Sequence, residues 1–397
     1  MTDGGRETWI TGIGIVSSLG EGVEAHWQAF LAGRTNVDAR KLAPYIVHPL
    51  APVDLDKQIP KKGDQRQMEP WQRIGTYAAG LALDDAKLKG NPALLAHTDM
   101  IVAAGGGERD MAADSAILTG LTKAANPAVY LNERLMSDIR PTLFLAQLSN
   151  LLAGNISIVH GVTGSSRTFM GEEAAGFDAV RIALARIQAG QSEIALVGGG
   201  FNAEREDAIM VFEFAGHNLR GEFKPVWQRG PQGGFALGSL GAFLVLEPRS
   251  HAEARGIGPI ARLAFSTSQR SDRKPGAITA MLRRMWEDLA PRLTPGRHAV
   301  ISGATGTEPA TSEERAFLSE HADVPVRATG NLVGHGLEPA FVMSIAIAAI
   351  AVKRHKLFPS IDAPGIERAM DGPLSQVVVT GTGHWHGEGM ALVEAVD

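Results

Sequence analysis

Residues 139–200 read IRPTLFLAQLSNLLAGNISIVHGVTGSSRTFMGEEAAGFDAVRIALARIQAGQSEIALVGGG. The pattern predicts a helix, a short strand, a turn at Gly171–Glu172–Glu173, a long helix and a glycine-ended strand. A helix that starts just past a strand is a strong place to hold an anion or to work on a carbonyl, because its first N–H groups are unpaired and its dipole favours negative charge. The residue at that place is Glu173. A carboxylate is a poor carbon nucleophile, so the chemistry of the turn is the central question of the chain.

Outward from this stretch, the same order of elements appears a second time. Asp99–Ala104 reads as a buried strand closing on Gly105–Gly106–Gly107, and Ala299–Ser302 followed by GATGT echoes it. Thr329–Val352, a glycine turn and an apolar helix, echoes Gly171–Ala189. Gln376–Gly383 echoes Ile194–Gly200. Strands are also expected at Trp9–Val16, Phe235–Glu247 and Ile260–Ser266, and helices at Val23–Ala32, Trp71–Lys87 and Ala277–Leu289. A repeated strand, turn, buried helix and strand predicts a duplicated α/β unit, two sheets sandwiching helices, with halves at 1–256 and 257–397.

Composition narrows the function classes. The 397 residues carry a net charge of -5, which gives no electrostatic support to a nucleic-acid or membrane-surface role. There are 0 cysteines, so disulfides, thiolate metal sites and a cysteine nucleophile are excluded, in keeping with a cytoplasmic protein. The start, MTDGGRETWITGIG, lacks the basic and apolar regions of a signal peptide. The apolar run Phe341–Val352 is too short to span a membrane and is expected to be a buried helix.

Several motifs carry the resemblance of this chain to a family. WITGIGIVSSLGEGVEAHWQAFLAGR opens it, LSNLLAGNISIVHGVTGSS precedes the turn, AGQSEIALVGG follows the long helix, GGFALGSLGAFLVLE ends the first half, and TGNLVGHG lies in the second. Together they resemble the β-ketoacyl-[acyl-carrier-protein] synthases of the thiolase-like fold. The resemblance implies a five-layer α-β-α-β-α architecture, a dimer, and an acyl-carrier protein as substrate carrier, with no cofactor and no metal.

It also implies a cysteine at a buried helix start, which takes the acyl group as a thioester, and two histidines that assist decarboxylation and hold the oxyanion. Aligned motif by motif, the cysteine position falls on Glu173, the first histidine on Gly303 and the second on Asn331. The family lysine falls on Val326, beside Arg327, and the glutamate of its GEGAG segment on Ser239. Its glycine–phenylalanine gate reads GTGHWHGEG here. The reactive set is absent while the scaffold motifs persist.

The implied reading is a non-catalytic partner, similar to the chain-length factor of aromatic polyketide systems, paired with a cysteine-bearing ketosynthase paralogue. Degenerate synthases of very-long-chain acyl synthesis for lipid A offer a narrower version. The helix expected at Thr142–Leu152 matches the part of the family that crosses the dimer. The alternatives are an enzyme using Glu173 on acyl- or malonyl-carrier, and a homodimeric acyl-binding protein. A basic cluster, Lys61, Lys62, Arg66 and Arg73, matches a family region that meets the acidic carrier protein.

Blander readings attach to the same residues. Glu173 also reads as a first-turn charge, with Glu172 placed to cap the helix. His335 reads as a satisfied core or interface histidine. His384, His386 and Glu388 read as hydrogen-bonded loop residues rather than a metal set. Ser165 and Ser166 read as loop-closing residues, because GSS lacks the pattern around a nucleophilic serine.

Overall fold

The computed structural model describes residues 6–139, 144, 145, 147–362 and 365–396. Ten strands make the frame. In the first half they are β1 (Thr8–Ser17), β2 (Thr98–Ala103), β3 (Ser166–Phe169), β4 (Ile194–Phe201) and β5 (Leu240–Pro248). In the second they are β6 (Ala261–Gln269), β7 (His298–Ser302), β8 (Val326–Ala328), β9 (Gln376–Thr382) and β10 (Glu388–Glu394). The spatial order is β3-β2-β4-β5-β1 and then β6-β10-β9-β7-β8. Each half has three parallel strands (β3, β2, β4 and β8, β7, β9) followed by two antiparallel ones. The strand pairs expected from the echoes, β2 with β7 and β4 with β9, occupy equivalent places in the two halves. β1 and β6 join the halves through the antiparallel pairs Trp9↔Arg262 and Ile10↔Ala261.

Helices fill three of the five layers. α1 (Pro70–Asp85) and α2 (Leu151–His160) cover the outer face of the first sheet. α3 (Glu173–Gln188) lies between the sheets, and α4 (Glu206–Phe214) follows β4. α5 (Ala277–Leu289) and α6 (Ala310–Ser319) cover the second sheet, and α7 (Ala340–Lys353) joins α3 in the middle. Every residue of α7 from Phe341 to Val352 is buried, as an apolar-all-round helix requires. The parallel strands β2 and β4 are buried along their whole length, which is why they read as unbroken apolar runs. Gly14 of β1 lets α1 approach closely: a Cβ there would collide with Ala78 O.

Some expectations shift. The strand expected at Phe235–Glu247 is split: Leu237–Gly238 pairs with Val47–His48, and β5 starts at Leu240. The break is at Ser239, whose Oγ accepts from Ala203 N–H at 2.9 Å. In the helix expected at Thr142–Leu152, residues 142, 143 and 146 lie outside the described residues. The described helix runs Leu151–His160 and stops at Gly161, φ +75°. Strands β8 and β10 and helix α4 are additions to the sequence reading. Among the described residues, no helix is long and apolar enough to cross a membrane.

Candidate functional site

The site forms where three chain segments meet at the inner ends of the sheets: the β3–α3 turn, the loop leading to α7, and the β9–β10 turn. Glu172 holds the turn with φ +55° and ψ −133°, a conformation that costs a non-glycine residue about 1–3 kcal/mol. It makes no side-chain cap of α3, so the capping role expected for it is not filled. The strained turn brings two consecutive carboxylates to one imidazole: His384 Nε2 lies 3.5 Å from Glu172 Oε2, and its Nδ1 faces Glu173. Close packing supports it, because a Cβ at Gly176 of α3 would collide with Glu338 O.

Glu173 is buried, 4% exposed. His335 Nε2 lies 2.7 Å from its Oε1. His384 Nδ1 lies 2.9 Å from Oε1 and 3.1 Å from Oε2. Ionised carboxylate oxygens only accept, so both imidazoles donate to it. Burial alone raises the Glu173 carboxyl; the charge of His384 and the hydrogen bonds from both histidines outweigh that and hold it well below the usual range. Burial lowers His384, but Glu173 raises it further, and its net shift is upward. Phe212, Phe235 and His217 pack edge-on against the His384 ring, fixing its orientation.

The space beside Glu173 is a void of about 10 Å³, lined with Gly303, His335, Phe341 and Thr380 among others. One water needs about 10–15 Å³ of such space. Gly303 thus shares the void with Glu173 and presents only backbone to it. Asn331 does not line it. Its Oδ1 accepts from Val226 N–H at 2.6 Å, and its Nδ2 donates to Glu367 Oε1 at 3.4 Å. Of the three positions singled out by sequence, two meet and the third faces elsewhere.

Other residues fall into structural roles. Arg327 is buried and donates to Phe358 O and Arg368 O at 2.7 and 2.8 Å. Ser165 Oγ donates to Asp99 Oδ1 at 2.9 Å, closing its loop. Glu388 is separate from His384: it accepts from Ser271 Oγ at 2.8 Å and pairs with Arg273 at 2.7 Å. Lys61 and Arg66 are exposed, Arg73 is half-buried, and Lys62 pairs with Asp56.

Two features escaped the sequence reading. His335 and His384 were each visible as histidines near glycines, but no local pattern joined them to a glutamate more than 160 positions away. Glu338 is a buried carboxyl, 4% exposed, next to the start of α7. The proline after it, Pro339, was the available signal in the sequence.

The model of the β-ketoacyl synthase N-terminal domain matches residues 6–252 of this chain. The chain belongs to the β-ketoacyl synthase family. It is 25% identical over 389 residues to the 3-oxoacyl-[acyl-carrier-protein] synthase 2 of Vibrio harveyi, covering 92% of this chain and 90% of the relative. It is 23% identical over 382 residues to the tetracenomycin polyketide synthase ketoacyl synthase beta subunit of Streptomyces glaucescens, covering 90% and 89%. The solved ishigamide ketosynthase/chain length factor shares its fold, with a TM-score of 0.81 at 19% identity over 99% of this chain and 100% of that one. A Burkholderia phymatum β-ketoacyl synthase has a TM-score of 0.79 at 18% identity, with the same coverage. The architecture is the thiolase-like one, and the relatives work in fatty acid and polyketide synthesis.

Proposed function

We propose that this chain is a non-catalytic, chain-length-factor-like subunit that acts beside a cysteine-bearing ketosynthase paralogue and an acyl-carrier protein in the cytoplasm. One observation carries the reading. At the position aligned with the family's cysteine, the Glu173 carboxylate is held by His335 and His384, beside a void with room for a single water at most. Gly303 offers no donor side chain, and Asn331 is committed to Val226. The ketosynthase scaffold is kept while its substrate has no access to a nucleophile. Very-long-chain acyl synthesis for lipid A is a narrower version of this reading, and no cofactor or metal enters the scheme.

The halves divide at 256/257 in this reading, and pairing with the paralogue uses the β3 edge. That edge has no neighbouring strand among the described residues, and Met170, the residue after it, stands exposed. A solved relative is described as a polyketide acyl-carrier protein in complex with its ketosynthase. We assign carrier docking here to Lys61, Lys62, Arg66 and Arg73. Co-expression with a cysteine-bearing paralogue, followed by native mass measurement and product analysis, tests the scheme. A hetero-dimer and altered product length are expected; their joint absence overturns it.

A second reading has one observation in its favour: two imidazoles stand within hydrogen-bond distance of Glu173, the makings of an acid–base site. Turnover of malonyl- or acyl-carrier by the purified chain alone, lost in Glu173→Ala, would establish an enzyme over a silent subunit. Tight acyl retention by a homodimer without turnover would instead mark an acyl-binding protein.

A further inference from the structure

A cavity of about 670 Å³ opens between the end of α4 and the loops at residues 216–224 and 229–233. Its volume is in the range of small-molecule sites. It shares no lining residue with the void beside Glu173.

Two of its lining side chains are more than nine-tenths buried and lack a partner on one polar atom. Asn218 is 7% exposed and Arg229 8%. Asn218 Nδ2 donates to Ile209 O at 2.7 Å, but its Oδ1 has no donor. Arg229 Nε donates to Lys224 O at 2.9 Å, and its Nη1 to Gly234 O at 2.9 Å and Thr305 O at 2.6 Å. Its Nη2 has no acceptor. Gly234 brings the two side chains to one place: it accepts from Arg229, and a Cβ on it would lie 2.5 Å from Asn218 C.

Arg229 also lacks a counter-ion. The other buried arginine among the described residues, Arg327, has the charge of Glu367 beside it. Arg229 forms no ion pair among the described residues, and burial pulls its guanidinium down to about 9. A buried guanidinium with a free N–H, near a buried acceptor with no donor, is costly unless a ligand completes both. The charged side chains of the lining are Arg220, Lys224 and Arg229 against Glu213 and Glu222, an excess of one positive charge. That balance suits a monoanion. Asn218 Oδ1 calls for a donor, and an ammonium would be repelled by the guanidinium, so the donor is neutral.

We propose that this cavity binds a small hydroxycarboxylate, with the carboxylate on Arg229 Nη2 and the hydroxyl donating to Asn218 Oδ1. The inference does not rest on the partner-subunit reading, because the cavity lies within one chain and apart from Glu173.

Calorimetric titration of the full-length chain with lactate, propionate and methyl lactate tests it. Lactate is expected to bind about tenfold more tightly than methyl lactate, which lacks the anion, because hydrogen bonds to charged groups are the stronger kind. It should bind about threefold more tightly than propionate, which lacks the hydroxyl. Arg229→Gln should bring lactate down to the level of its ester. That variant also loses bonds to three carbonyls, so the wild-type series decides by itself. Equal affinity of the wild type for lactate and either comparison ligand, or no binding of any of the three, overturns the proposal.

Discussion

Glu172 and Glu173 are adjacent in the chain, and both sit at the start of α3. Burial acts on both in the same direction, upward. For Glu172 the charge of His384 offsets only part of it, and the carboxyl stays raised. For Glu173 two imidazoles reverse the sign. Whether a buried carboxyl keeps its charge is thus set by its partners, and one residue of chain is enough to change them. Glu338 extends the contrast: its own backbone N–H offsets only part of the effect of burial, and its carboxyl is pushed up to about 7.

The largest effect that sharpens this contrast is the loss of the partnered acid. Glu173→Ala leaves His335 and His384 without their acceptor, and chemical denaturation should show a loss of about 3–5 kcal/mol. An equal loss for Glu172→Ala would break the comparison.

A pH series should show the opposite behaviour of the two kinds of acid. The Glu338 carboxyl is raised to about 7 in the folded chain. The folded state therefore holds a proton that the unfolded state has released, and stability falls as pH rises from the ordinary carboxyl value towards 7. The full size is about 3 kcal/mol, and Glu338→Gln should remove that part of the slope. Glu173 is lowered, so its contribution is present above the ordinary carboxyl value and fades in acid below it. His384 is raised, so its contribution is complete below the ordinary histidine value and is lost as pH climbs through its higher folded one.

Smaller effects follow for the remaining positions. Asn331→Ala orphans the Val226 N–H and should cost about 1–3 kcal/mol in the same denaturation assay. Glu172→Gly relieves a positive φ but removes a carboxylate 3.5 Å from His384 Nε2, so the two effects should oppose and the net change should stay within about 1 kcal/mol. Glu173→Cys should restore no condensation of acyl- and malonyl-carrier in a turnover assay: Gly303 has no side chain and Asn331 points away.

The fold was legible because its signals are periodic and local. The buried runs of β2 and β4, the apolar α7 and the glycine-ended turns all announce themselves within a dozen residues. β10 escaped because Glu388 and Gly389 break its apolar pattern; the charge is neutralised by Arg273, far off in sequence. β8 is three residues long, too short for any period. At the site, the position of Glu173 at a helix start was readable, but its state was not. That state depends on histidines delivered by the α7 approach and the β9–β10 turn, a contact made only by the finished tertiary fold.

On the proposed division at residue 256 the helix α7 belongs to the second half, yet it packs on β5 of the first sheet as well as on β9 and β10 of the second. A ribosome that has released only the first half has made a sheet whose inner face lacks half its cover. That exposed apolar layer would invite aggregation until residues 340–353 arrive. The duplicated halves therefore mature together, and a fragment cut at 256 should be recovered from cells as insoluble material.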